Sequence, residues 1–209
     1  LQNNTGDSNT AIGHFALNVN TTGTLNVACG KQALWKNESG QSNVATGVNA
    51  LRDNEDGGNN TATGTSALEK NKSGNDNVAI GTSALLNNKT GSENTAVGYT
   101  ALVDNTVGNN NVAIGYNAGP TTNNLSNTIS IGYNAQATIS NVCVIGDPNI
   151  NVGIGTTSPG AKLQVVGDIS CNRLIDASGK CSTGYGTRLV NTFSGYDNMS
   201  LKISWEDNI

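Results

Sequence analysis

Site chemistry usually draws on histidine, paired carboxylates, thiols or aromatic faces, and this chain of 209 residues carries few of them in usable arrangements. Its single histidine, His14, sits at a position that later copies of the same segment fill with Lys31, Val48, Thr65 and Thr82. No histidine triad or His-rich metal site can therefore be assembled within one chain. Paired carboxylates could cleave a polysaccharide, but Asp53, Glu55 and Asp56 occupy a loop that the other copies fill with Lys and Asn. The glycine-rich calcium nonapeptide and the phosphate-binding Gly-x-x-x-x-Gly-Lys-Ser/Thr loop are both missing from the sequence. We expect no catalytic residues, no metal site and no cofactor.

Aromatic residues suggest binding instead. Tyr99, Tyr116 and Tyr133 recur at a constant spacing and could form an exposed stack that holds a glycan or protein, or that only stiffens the chain. Four of the aromatics, Tyr185, Phe193, Tyr196 and Trp205, fall in the last 40 residues beside Arg173 and Arg188. We read Tyr185, Tyr196, Trp205 and Arg188 as candidate ligand-binding residues of an exposed tip, with the core of that tip or an oligomer axis as their alternative use. Asn-x-Ser/Thr triplets at Asn3, Asn20, Asn37, Asn71 and Asn88 are potential sugar acceptors, although turn chemistry selects the same residue types and is the reading we favour. Cys29 and Cys143 read as free, small, buried hydrophobes. Cys171 and Cys181 bracket a hairpin-like stretch where a disulfide would close if assembly is oxidising.

The elements that would position these residues follow from a repeat. Asn-Val/Thr-Ala-x-Gly segments begin at Asn9, Asn26, Asn43, Asn60, Asn77, Asn94 and Asn111, each 17 residues after the last. The same phase fixes an Ala column from Ala16 to Ala118, a Leu column from Leu17 to Leu102, and an Asn-x-x-Gly column from Asn3 to Gly108. Seventeen residues are too few for a strand with a helix or for paired helices, and suit two short strands and two turns. Val-Ala-Ile-Gly alternates with period two, whereas no helical stripe survives the Asn-x-x-Gly interruptions; stretches such as Ser66-Ala-Leu-Glu69 look helical only in isolation. Stacked at about 4.8 Å per coil, such units make a parallel β-solenoid segment roughly 35 to 40 Å long. Ala11 and its equivalents would face inward. Ile12, Cys29, Thr46, Thr63, Ile80, Val97, Ile114 and Ile131 would face the other way, toward partner subunits.

Composition agrees with a thin, turn-dense rod: 34 Asn and 26 Gly stand against only 2 Trp, 5 Tyr and 2 Phe. Eleven basic and 15 acidic residues, with a pI near 4.8, argue against nucleic acid as a partner. The longest apolar runs, such as Ala33-Leu34-Trp35, are far too short to span a bilayer, so no membrane insertion is expected of this segment. Position 1 is Leu and no charged-then-apolar leader follows it, so the chain reads as a fragment or a processed product.

Asn-Thr-Ala-Ile-Gly-x-x-Ala-Leu (9–17) and its copies resemble the head repeats of YadA-type trimeric autotransporter adhesins and related viral tail fibres. The similarity covers roughly residues 1–146. It implies a left-handed parallel β-roll in which three chains pack side by side, although the usual repeat is shorter, and the extra residues here would lengthen the Asn-x-x-Gly loop. Val152 to Ile169 is similar to a junction common in trimeric tail fibres, which in many of them leads to a receptor-binding tip or a C-terminal chaperone that is cut away.

The resulting expectation is an all-β protein: regular 17-residue coils over 1–119, irregular coils over 120–147, a β neck over 148–169 and a small β tip over 170–209. Its expected work is that of an extracellular homotrimeric fibre on a virion or cell surface, attaching to a host, prey or other cell through a surface glycan or protein. The rivals are a polysaccharide-degrading tailspike and a monomeric ice-binding solenoid. The second would need a flat Thr-x-Thr array that only Thr61-Ala-Thr63 supplies.

Overall fold

The computed structural model describes residues 4–166. Each 17-residue copy places one three-residue strand directly above its predecessor: β1 (Thr10–Ile12), β2 (Val27–Cys29), β3 (Val44–Thr46), β4 (Thr61–Thr63), β5 (Val78–Ile80), β6 (Thr95–Val97) and β7 (Val112–Ile114). After β8 (Gly119–Pro120), the same sheet continues through β9 (Ile129–Ile131) and, past β10 (Gln136–Ala137), through β11 (Cys143–Ile145). All nine strands of that sheet are parallel and in register, with Ala11, Ala28, Ala45, Ala62, Ala79, Ala96, Ala113, Ser130 and Val144 in one line. β8 pairs with β10, and β12 (Val152–Ile154) with β13 (Leu163–Val165), each as a separate parallel pair. The fold is an all-β solenoid, and no helix occurs among the described residues.

Period-two alternation decides the two faces of the main sheet. Ala28, Ala45, Ala62, Ala79, Ala96 and Ala113 are fully buried, while their flanking residues point outward. Opposite the strand, Ala33 and Leu34 and their copies fill the rest of a narrow core. Here the expectation of two strands per coil is corrected. In the regular coils the Ala-Leu segment is a turn, because Ser66 and Leu68, like their equivalents, sit at positive φ (56° and 53°). That conformation is costly for a bulky residue, and hydrogen bonds hold it in place. The Ser66 N–H donates back to Val48 O, the Leu68 N–H forward to Ala84 O, and the Ala67 N–H closes onto Gly64 O. Extended pairing appears on this side only where the Leu column stops, as β8 and β10.

The Asn-x-x-Gly columns hold the larger surprise. Asn20, Asn37, Asn54, Asn71, Asn88 and Asn105 are fully buried. Each donates one amide hydrogen to the glycine carbonyl three residues on and, from Asn37 onward, another to the asparagine one coil before: Asn71 Nδ2 lies 3.0 Å from Gly74 O and 2.7 Å from Asn54 Oδ1. A second buried column links coils through the backbone. The Asn77 N–H donates to Asn60 Oδ1 at 3.0 Å and Asn77 Nδ2 to Gly91 O at 2.9 Å. Buried amides are costly unless paired, and here nearly every one has its partner one coil away. Glycine is required beside them: a methyl on Gly57 would stand 2.6 Å from Asn54 Oδ1 and 2.7 Å from Asn71 Nδ2.

Candidate functional site

The outward face of the nine-stranded sheet is the most extended chemical feature of the described residues. Its two columns begin with Thr10 and Ile12 and end with Cys143 and Ile145, and β-branched residues dominate them. Ile80, Ile114 and Ile131 are 43%, 43% and 38% exposed, and Ile12 and Ile145 more than half. The expected assignment of inward and outward parities is therefore borne out. Cys29 is corrected: it is half-buried on this outward face, between Ile12 and Thr46 in register, and is no core residue. Cys143 is exposed rather than buried. Both are free, as expected.

Two residues past the strand, and just beyond a glycine at strongly positive φ, Tyr99, Tyr116 and Tyr133 stack as their spacing predicts. Their ring centroids are 5.4 and 5.2 Å apart, with planes within 13° and 15°. Each ring covers its neighbour's face, so the ladder offers solvent its edges and hydroxyls. That geometry disfavours the flat stacking of a sugar ring between them. His14 is exposed and lies against Phe15, with ring centroids 3.9 Å apart.

Charged groups gather where Asn-x-x-Gly loops follow the Leu column. Asp53 accepts from Lys36 at 2.9 Å and from Arg52 at 2.8 Å, and Arg52 also reaches Glu69. Burial pushes the Asp53 carboxyl up, but the hydrogen bonds from Arg52 and Lys36 outweigh it and hold the group below the ordinary carboxylate range. Glu55 pairs with Lys72 at 2.9 Å, which raises the Lys72 ammonium above its usual value. These carboxylates thus serve inter-coil ion pairs. Among the described residues no three of His, Cys, Asp and Glu come together as a metal site.

The sugar-acceptor alternative is overturned at Asn20, Asn37, Asn71 and Asn88. Each is fully buried with its amide nitrogen donating to protein acceptors, so a sugar on that nitrogen does not fit the folded coil. Asn3, the candidate binding residues Tyr185, Arg188, Tyr196 and Trp205, and the cysteine pair Cys171 and Cys181 lie outside the described residues. Local turn chemistry concealed the asparagine ladder. The signal that could have revealed it was the invariance of Asn and Gly in every copy while the two residues between them vary. Compared with protein-family models, with curated proteins and with solved structures, the chain matches none.

Proposed function

We propose that this chain is a non-enzymatic, extracellular fibre protein in which three copies pack their outward sheet faces together as left-handed rolls. The shaft then carries a neck and a C-terminal tip, displayed from a virion or cell surface, to a glycan or protein on another surface. One observation carries this reading: a fully parallel sheet whose outer face is uncovered and carries Ile or Val on every strand except β4, where Thr61 and Thr63 stand. Parallel sheets are found with both faces covered, and a largely apolar face of this extent on a lone chain marks an interaction surface. Three identical faces meeting on a common axis would close the assembly, and three tips on one shaft would reinforce weak contacts.

Light scattering without denaturant tests it. A mass near three times 21.4 kDa is expected, with Ile80→Lys, which puts a charge in the middle of the face, shifting it toward one chain while β-sheet circular dichroism persists. A monomeric wild-type protein would overturn the trimer, and would return the ice-binding reading to consideration. A deletion of 170–209 that keeps the trimer would assign assembly to the shaft and leave the tip for binding.

A further inference from the structure

We propose that Tyr99, Tyr116 and Tyr133 form a site of oxidative coupling, at which a peroxide-fed haem peroxidase joins neighbouring rings carbon to carbon and staples adjacent coils. The inference stands on ring geometry and exposure, independently of the fibre reading.

Three conditions for phenol coupling meet at these residues. The rings are reachable: Tyr99, Tyr116 and Tyr133 are 52%, 49% and 54% exposed, so an oxidant can take an electron from any of them. They are held together as well. The Asn117 N–H donates to Tyr99 O at 3.0 Å and the Asn134 N–H to Tyr116 O at 2.9 Å, which locks the three backbones in register. Consecutive side chains leave the sheet in the same direction, about one coil rise or 4.8 Å apart. Finally, each ring already faces its partner at a centroid distance of 5.2 to 5.4 Å. A radical formed on one ring has its reaction partner beside it at high effective concentration, and half-exposed side chains can tilt to bring ring carbons into bonding contact.

The step balances. Each of two phenols gives up one electron and its hydroxyl proton to become a phenoxyl radical. The radicals combine at the carbons ortho to oxygen, forming one C–C bond. The hydrogen on each of those carbons then passes to the adjacent oxygen, restoring two phenols. Two hydrogen atoms leave the protein, and one hydrogen peroxide is reduced to two waters. Tyr116 belongs to both pairs, so either link runs through it.

Position gives the staple a structural use. The Leu column ends at Leu102, and its next two places hold Gly119 and Gln136, so the rings span the coils where the apolar core thins. A covalent link there would tie a less well-filled coil to the regular stack.

The full-length chain, with Cys143 alkylated beforehand because its exposed thiol competes for oxidant, is treated with hydrogen peroxide and horseradish peroxidase. Dityrosine fluorescence is expected, with a chain that still runs as one chain on a denaturing gel and has lost two hydrogens. Peptide mapping is expected to join Tyr116 to Tyr99 or Tyr133. Tyr116→Phe leaves the outer rings two coils apart and is expected to lose the intrachain link, whereas Tyr99→Phe and Tyr133→Phe each keep the remaining one. Hydrogen exchange at Asn117 and Asn134 is expected to slow after coupling. Links found only between chains, links found only at Tyr185 or Tyr196, or an unchanged yield in a folded Tyr116→Phe variant would overturn the proposal.

Discussion

The coils from Asn20 to Asn105 and those that follow them share one sheet but fill it by different means. In the regular coils each turn buries two alanines, one leucine and two asparagines, and the amides pass hydrogen bonds from coil to coil. In the terminal coils Thr122 takes the place of the next ladder asparagine and is exposed. Thr128 replaces the other one and donates its hydroxyl to Asn111 Oδ1 at 2.7 Å, and Ser130 enters the alanine line with its hydroxyl buried and unpartnered. Backbone pairing in β9 and β11 continues regardless, and β8 with β10 adds a second strand pair. Strand stacking alone thus tolerates varied filling, whereas the regular coils depend on an exact side-chain register.

The sharpest way to break the contrast is at the glycine that follows a strand. Gly64 has φ of +134°, and a methyl there would lie 2.6 Å from Gly81 O. Gly64→Val is expected to cost more than about 4 kcal/mol, read as loss of cooperative urea unfolding. Next comes Asn71→Ala, which removes the donor to Asn54 Oδ1 and the acceptor of Asn88 Nδ2. A loss of about 3 kcal/mol is expected, against no more than about 0.5 kcal/mol for Thr122→Ala at the matching terminal position. If both cost the same, the ladder is not what separates the two regions.

Repair should be smaller than damage. Asn105 Oδ1, at the end of the ladder, is buried without a donor. Thr122→Asn combined with Leu125→Gly restores the next rung and is expected to stabilise by about 1 kcal/mol in urea melts. Smallest of all is the ion-pair cluster, which the terminal coils lack. Asp53→Asn is expected to cost below about 1 kcal/mol near neutral pH, since Lys36 and Arg52 remain partly in solvent. Because the folded Asp53 carboxyl lies below its unfolded value, its contribution is full above the ordinary carboxylate range. It disappears as pH falls through the lower folded value, so wild type and variant should converge in acid melts.

Much of this architecture could be read from spacing. The 17-residue step placed every strand from β1 to β7, alternation assigned Ala45 inward and Thr46 outward, and the recurrence of Tyr99, Tyr116 and Tyr133 announced their stack. Two features escaped because their causes are not local. Asn71 looks like a turn residue within its own four-residue window, yet its decisive partners, Asn54 and Asn88, lie one coil before and after. Leu68 is a poor candidate for left-handed backbone until Ala84 O, 16 residues ahead, is there to receive its N–H. The outward face is a third case: its composition was legible from alternation, and the structure adds that Ile80, Ile114 and Ile145 stand exposed on it.

The buried amide column also has a direction. Each ladder asparagine donates toward the start of the chain, and those from Asn20 to Asn88 accept from the coil that follows, so the side-chain dipoles align head to tail along the stack, with an unsatisfied oxygen at Asn105. Such a row is an internal arrow. Its open oxygen lies inside the solenoid, beneath the coils that carry β9 and β11, so only a residue of those coils, and not a neighbouring molecule, could continue the row.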